Sequence, residues 1–427
     1  MNILILAPFL PRPNAPSGNP RAVFDRVRLL SSLHNLTVAT FIEPGERKDV
    51  AFLKALGIRV HGVIRDPKAG LTGIVLWRKR ARLAAGLFNP RRPMLVQEFS
   101  NKRMNRLVLR LVSKERFDLI LVEHSLMAQY IDHLDPQTAQ PIILTEHDVR
   151  LAFPLEGVSG QERGNDGVKV FMHTALGRVE RMKWRQYGRS VCLHATSVLV
   201  PSREDAEALA IEVPGLVPHV VPFGVDLVHS AESGTIPGID ATKESLLFVG
   251  NFDHPPNVDA ALWLCGEIMP LIRRNRSNVE LWLVGKNPTR EVACLASPGV
   301  AVTGEVSSVV PYLRGCTLFV APLRQGGGMR IKLIEAMGAG AAVVTTTLGA
   351  QGLGAISGQH LLVADDAGSF ADAVLRVLDD PGLRERLRST GQLLVNSASS
   401  EKERLELLNR ILHSTIAKAT KAKRSRA

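Results

Sequence analysis

Short, continuous apolar runs recur along the chain, most of them closed by Gly, Pro, Asn or Asp and followed by a segment of helical period. Ile3 to Ala7 reads as a buried strand, and the loop after it, PFLPRPNAPSGNPR, holds too much proline and glycine for helix. A helix over about 22–33 and the strand LTVATF come next, which is how a parallel α/β domain opens. IRVHGVI is strand-like, and Leu107 with Leu111 and Val108 with Val112 keep a helical spacing. Phe117 to Val122 and PIILT are further buried strands. They deliver Glu123 and His124, then Glu146, His147 and Asp148, to the carboxyl ends where ligands collect in such sheets. A histidine there can hydrogen-bond a sugar or a phosphate or take a proton; it can equally cap the helix that follows. Gly18, Asn19 and Arg21 lie beside the same cleft, with an ordinary turn as the other reading of Gly18.

The alternation continues through a helix over about 168–189 and the strand VLV. Ser202 then caps a helix whose first turn holds Glu204 and Asp205, the sign the helix dipole prefers. HSAESGTIPGIDATKES has no apolar period and marks a boundary. The expected organisation is a domain over 1–224, a linker over 225–243, a second domain over 244–395, and a C-terminal helix with a basic tail over 396–427. The second domain restarts with SLLFVG and runs through ELWLVG and VAVTGEV to TLFVAPLRQGGGMRIKLIEAMGAGAAVVTTT. This last stretch is strand, glycine loop, helix, strand. A helix that starts just past glycines offers unpaired N–H groups and a positive dipole end, and an anion such as phosphate answers both. Arg330 and Lys332 are awkward in that first turn unless an anion binds there or Glu335 compensates them.

Composition changes the picture in three places. The 427 residues, 45% hydrophobic and 22% charged, suit two globular domains, and no apolar run approaches the roughly 20 residues that span a bilayer. MNILILAPFL lacks a basic region and a cleavage site, so it reads as a first strand. Cys192, Cys265, Cys294 and Cys316 stand singly, as in a reducing cytosol, and suggest neither a metal site nor a disulfide framework. The net charge of +12 is concentrated between Arg78 and Arg116, where twelve basic residues face only Glu98 and Glu115. Such a patch attracts nucleic acid, anionic lipid or a phosphorylated substrate. The scarcity of aromatic residues argues against nucleic acid, and a solvated basic face with no partner is the plain alternative.

The order VLVPSREDAEAL, VVPFGVDL, LLFVGNFDHPPNVDA, LVG, VTGEV and LFVAPLRQGGGMRIKLIEAMGAGAAVVTT, ending HLLVADD, resembles the retaining nucleotide-sugar glycosyltransferases of the glycosyl transferases group 1 family. The resemblance implies the α/β GT-B fold, two Rossmann-like parallel-sheet domains facing a central cleft. The donor would be held mainly by the second domain and a glycan or lipid-linked acceptor mainly by the first. Glu335 matches the second acid of the family's Glu-x7-Glu motif, which binds the donor ribose; the first acid falls at Gly327. The Arg and Lys that the family commonly places after the first strand of this domain are replaced by Asn251 and Pro256. By this resemblance Gly18, Gly250, Asn251, Gly327, Gly328, Met329, Arg330, Lys332 and Glu335 surround the donor. His124, Arg330 and Lys332 would act on the departing diphosphate and the sugar, with Glu123 and His147 on the acceptor or sugar side. No Asp-x-Asp motif is present, so no metal and no cofactor beyond the nucleotide-sugar donor are expected. The implied setting is the cytoplasm, peripheral on the inner face of the plasma membrane through residues 78–116, in surface polysaccharide or glycoconjugate synthesis. Closure would hinge near Pro222 to Gly224 and near the C-terminal helices. The alternatives are a sugar-nucleotide epimerase of the same fold, or a non-catalytic partner protein, which Gly327, Asn251 and Pro256 motivate.

Overall fold

The computed structural model describes residues 1–13, 15, 18–65, 92–131, 140–147, 149, 167–224, 243–326, 331–398 and 400–424. It divides into two compact units. The first comprises Met1–Arg12, Val23–Pro222 and Glu401–Ala427; the second comprises Pro13–Ala22 and Phe223–Ser400. The linker expected over 225–243 falls almost wholly outside the described residues.

In the first unit seven strands form one parallel sheet: β1 (Asn2–Ala7), β2 (Asn35–Ile42), β3 (Arg59–Ile64), β4 (Leu119–Glu123), β5 (Ile142–Thr145), β6 (Ser197–Val200) and β7 (His219–Val220), in the order β3-β2-β1-β4-β5-β6-β7. The apolar runs read as continuous because both faces are covered. On one face Leu4, Leu6, Ile120 and Val122 meet Met104, Leu107, Val108 and Leu111. On the other, Ile3, Ile5, Leu119 and Leu121 meet Val23, Val27 and Leu30 of α1 (Gly18–Ser31). The first set of helical residues lies between α2 (Met94–Glu98) and α4 (Ser125–Ala128), on α3 (Lys102–Lys114). The apolar stripe of α3 therefore faces the core while Lys102, Arg103, Arg106 and Arg110 are exposed. Each such buried aliphatic side chain contributes about 1.5–3 kcal/mol. Ser202 Oγ accepts from Asp205 N at 3.1 Å at the start of α5 (Arg203–Glu212), as its position before the acidic turn predicts.

The C-terminal helix Glu401–Arg424 departs from the expected division, because it packs against the first unit's sheet instead of standing as a separate segment. Leu408, Ile411 and Leu412 join the cluster around Ile3 and Ile5, Thr415 Oγ1 meets Ser197 Oγ at 2.8 Å, and buried Arg404 pairs with Asp25.

The second unit carries six parallel strands: β8 (Ser245–Val249), β9 (Glu280–Val284), β10 (Val300–Gly304), β11 (Leu318–Ala321), β12 (Val343–Thr345) and β13 (Leu362–Val363), in the order β10-β9-β8-β11-β12-β13. Phe248, Leu283, Phe319 and Val344 pack with helical residues such as Phe370, Val374 and Leu378 in one core. Both sheets share the doubly wound order in which the strand sequence reverses beside the first strand, at β1/β4 and at β8/β11. In such sheets the crevice at the reversal point is where ligands bind.

Candidate functional site

At the reversal point of the second sheet, Gly250 follows the last residue of β8 and α6 (Pro255–Trp263) begins five residues later with proline in its first turn, where the missing N–H costs nothing. A Cβ on Gly250 would stand 3.0 Å from Asn257 Cγ. The neighbouring strand β9 is followed by Gly285, whose φ of +151° and 1.8 Å hypothetical Cβ contact with Gly250 O exclude any side chain. Bare backbone thus lies at two adjacent strand ends, the surface a ligand can approach closely. Gly285→Ala is expected to cost roughly 3 kcal/mol from overpacking and backbone strain together, read as a lowered denaturation midpoint of the second unit.

α7 (Ile331–Gly338) follows β11. Lys332, in its first turn, donates from Nζ to Asn257 Oδ1 at 2.6 Å and lies 4.7 Å from the centroid of the Phe248 ring. Asn257 Nδ2 donates in turn to Asn251 O at 2.8 Å. Lys332 is thereby aimed at the end of β8. Glu335 is buried, and Arg21 Nη1 of the same unit reaches its Oε1 at 2.6 Å. Burial raises the Glu335 pKa, while Arg21 and then Lys332 oppose that rise. Sequence spacing offers Glu335 as the answer to Lys332; Lys332 does act on Glu335 electrostatically, while it hydrogen-bonds to Asn257 and Glu335 pairs with Arg21. The Asn251 side chain, expected at the donor, accepts from Asp253 N at 3.2 Å and so shapes the turn after β8. Gly327, Gly328, Met329 and Arg330 lie outside the described residues. Gly18 is the first residue of α1, in the stretch that belongs to the second unit.

At the reversal point of the first sheet, β4 and β5 pair with Glu123 opposite Thr145, which brings the two Glu-His pairs side by side. His147 Nε2 lies 2.7 Å from Glu123 Oε2, and the rings of His124 and His147 stack 6.1 Å apart at 9°. Arg26 Nη1 donates to Thr145 Oγ1 at 2.7 Å, and its Nε is 3.4 Å from Glu123 Oε1. Burial would push the Glu123 carboxyl up, but Arg26 and His147 outweigh it and hold the group below its ordinary value. Glu123, expected on the acceptor or sugar side, has a carboxylate with 0% exposure, its Oε2 beside His147 Nε2 and its Oε1 3.4 Å from Arg26 Nε.

His124 is the more unusual residue. Its φ of +79° with ψ of 138° is a backbone conformation that side chains other than hydrogen rarely tolerate. Its Nδ1 accepts from Leu126 N at 3.3 Å, so it does cap α4, the plainer of the two sequence readings. Burial, then the neighbouring His147, lower its pKa to about 3. The ring is therefore neutral near pH 7, and with Nδ1 accepting, Nε2 carries the hydrogen. That N–H is a donor held in place by a strained backbone, a stack and a cap. Asp148 lies outside the described residues. Among those residues no cluster of three or more His, Cys, Asp or Glu has metal-ligating geometry.

Arg26, Asn257 and Gly285 complete these sites, together with Arg21, which the sequence already places beside the cleft. Arg21 stands next to the Gly18–Asn19 pair in sequence, and Gly285 follows an apolar strand as Gly250 does; Arg26 and Asn257 left no local signal.

Two doubly wound parallel sheets, with glycine strand ends, a lysine and a carboxylate at the reversal point of one and a strained, neutral histidine at that of the other, define a GT-B protein. Residues 243–380 match the model of the family described as Glycosyl transferases group 1. A phosphatidyl-myo-inositol mannosyltransferase from Mycobacterium tuberculosis is 28% identical over 186 residues, 41% of this chain and 48% of that protein. The match thus spans about half the length of the curated relative. Sucrose-phosphate synthase from Thermosynechococcus elongatus superposes over 97% of this chain and 99% of its own at a TM-score of 0.68 and 18% identity. HepE of Anabaena, in complex with UDP and glucose, covers 96% and 99% at 0.63 and 14%. At those identities the superpositions establish the fold.

Proposed function

We propose that the protein transfers a glycosyl group from a nucleoside-diphosphate sugar to a glycan or lipid-linked acceptor, with retention at the anomeric carbon. One observation carries the reading. In the region matching the family, Gly250, Gly285, Lys332 and Glu335 come together at the sheet's reversal point, where bare backbone, one cation and one carboxylate suit a nucleoside diphosphate. Cleavage of a glycosyl–phosphate bond builds negative charge on the departing diphosphate and positive charge on the ring. Lys332, with Arg330 and the glycine-loop N–H groups, stabilises the first more in the transition state than in the ground state. Glu335 accepts from the ribose hydroxyls, and the His124 Nε2–H donates to the sugar or its phosphate. The mannosyltransferase relative and the UDP-bound neighbour support the donor class. Among the described residues no helix is long and apolar enough to cross a membrane. For the basic segment 78–116 we propose contact with an anionic membrane surface that presents the acceptor; Arg78, Lys79, Arg80, Arg82 and Arg91 of that segment lie outside the described residues.

The test is thermal stability against UDP, GDP, ADP and their sugar conjugates, for wild type, Lys332→Ala and Glu335→Ala. A nucleotide at about a hundred times its dissociation constant stabilises the native state by roughly 2.7 kcal/mol. The expected result is a shift with one nucleotide in the wild type and little or none in the variants. No shift with any nucleotide would return the chain to the non-catalytic reading. Free-sugar release or epimerisation without an acceptor would mark an epimerase.

A further inference from the structure

The glycine loop assigned to the departing diphosphate is entered through Arg324, a residue so far without a task. Its Nε donates to Asp259 Oδ2 at 3.2 Å and its Nη2 to Asp259 Oδ1 at 2.7 Å, a two-bond fork that fixes the plane of the guanidinium as well as its place. The same group lies 4.7 Å from the centroid of the Trp263 ring. Asp259 and Trp263 are four residues apart on α6 and so share one of its faces. The seat is itself braced. Trp263 is buried, meets Phe370 edge-on at 6.1 Å and donates from Nε1 to Glu267 Oε2 at 3.2 Å. Glu267 belongs to a π turn, Leu264–Ile268, that interrupts the helix directly after Trp263, and such turns are frequent beside functional sites.

The Arg324 side chain is 42% exposed, and a half-exposed ion pair adds little to stability. What a fork and an aromatic seat supply is direction. The stem of the loop is held as well: Leu323 O accepts from Thr346 Oγ1, which ties the residue before Arg324 to the end of β12. Gly326 has a φ of +99°, a conformation glycine adopts without strain. Beyond the loop, Lys332 is bonded to Asn257, again on α6. Residues 257 and 259 stand about 200° apart round a helix of 3.6 residues per turn. The chain before the glycine loop and the chain after it are therefore tied to two sides of a single helix, and α6 sets both ends at once.

We propose that Arg324 is a positioning residue of the transfer reaction: seated on Asp259 and Trp263, it sets the glycine loop so that the loop N–H groups and Arg330 meet the charge developing on the departing diphosphate. This role rests on the transferase reading. With Nε and Nη2 committed to Asp259, Arg324 acts through the loop. Gly250, Gly285 and Glu335 lie outside the loop and keep the ground-state grip on the nucleotide, so the loss of Arg324 falls on the transition state.

Arg324→Gln, Asp259→Asn and the double variant, each in the full chain, test the proposal. Nucleoside diphosphate release from UDP-glucose, GDP-mannose and ADP-glucose reads turnover, thermal shift with UDP, GDP and ADP reads nucleotide binding, and hydrogen exchange of the 325–332 amides without ligand reads the loop. In each single variant kcat should fall by roughly 10²-fold, the loss that a small misplacement of catalytic groups brings. KM for the donor should stay within about threefold, as for an interaction made only in the transition state. The melting midpoint should remain that of the wild type, while the loop amides exchange about tenfold faster. The double variant should lose no more than either single one, because both break the same seat. Wild-type kcat in Asp259→Asn beside a low kcat in Arg324→Gln would make Arg324 a donor contact and overturn the proposal. So would a lowered midpoint with kcat and KM moving together, or wild-type exchange in Arg324→Gln. With a nucleotide bound but none of the three sugars cleaved, exchange decides alone. If a nucleotide still shifts the wild type, such a failure removes only the role of Arg324; a wild type that is neither shifted nor active brings down the transferase reading, and this role with it.

Discussion

Arg26→Met should destabilise the first unit by about 3–5 kcal/mol, the range for removing one partner of a buried ion pair. Arg26 and Glu123 are 3% and 0% exposed, so water cannot replace the lost guanidinium, and Glu123 is left with His147. The double variant Arg26→Met/Glu123→Gln should recover much of the loss, because it removes the stranded charge as well. The acid dependence gives an independent sign. The Glu123 pKa is depressed in the folded protein, so its contribution is fully present above the unfolded value of 4.5 and is lost as pH falls through the lower folded value. Without Arg26, burial dominates and the folded pKa rises. Glu123 then no longer contributes to acid lability, and stability instead falls as pH climbs past 4.5. Hydrogen exchange of the β4 and β5 amides, followed from pH 3 to 7, reads both effects locally. A variant with wild-type protection and wild-type acid slope would show that the quartet of Arg26, Glu123, Thr145 and His147 is not energetically coupled.

That quartet also marks where sequence reading reaches and where it stops. The strands were legible because a fully covered parallel strand is a short apolar run, and the reversal-point residues were legible because they close those runs. Glu123 and His147 both surfaced in this way. Their pairing depends on β4 lying beside β5 with Glu123 opposite Thr145, a register no local pattern encodes. The same holds for Arg21 with Glu335, for Lys332 with Asn257 and for Asp25 with Arg404, each joining residues far apart in the chain. The Glu401–Arg424 helix shows its apolar face in sequence, yet nothing in that face says which sheet it covers. Backbone strain is equally silent, since the positive φ of His124 and of Gly285 follows from how strand ends are packed.

The strain at His124 leads to the second large effect. His124→Ala should lower kcat by about 10²–10³-fold if the Nε2–H donates to charge that develops in the transition state, the usual loss for one preorganised donor. Alanine keeps the unfavourable φ of +79° and loses both the Nδ1 cap and the stack on His147. His124→Gly loses the same contacts but relaxes the backbone, so it should be more stable than His124→Ala by about 1–3 kcal/mol while equally inactive. Stability and activity then separate at one position: glycine suits the fold and histidine suits the chemistry. The pH dependence must agree. With a folded pKa of about 3 against 6.5 unfolded, the neutral ring's contribution is complete above pH 6.5 and falls by up to about 1.4 kcal/mol per unit on acidification toward pH 3. Both variants should lose that slope, and the wild-type rate profile should show no His124 ionisation between pH 5 and 8. If glycine proves no more stable than alanine, the strain is not real. If either variant keeps wild-type kcat, His124 is a helix cap and nothing more, and the donor to the departing group must be sought among Lys332, Arg330 and the glycine loop.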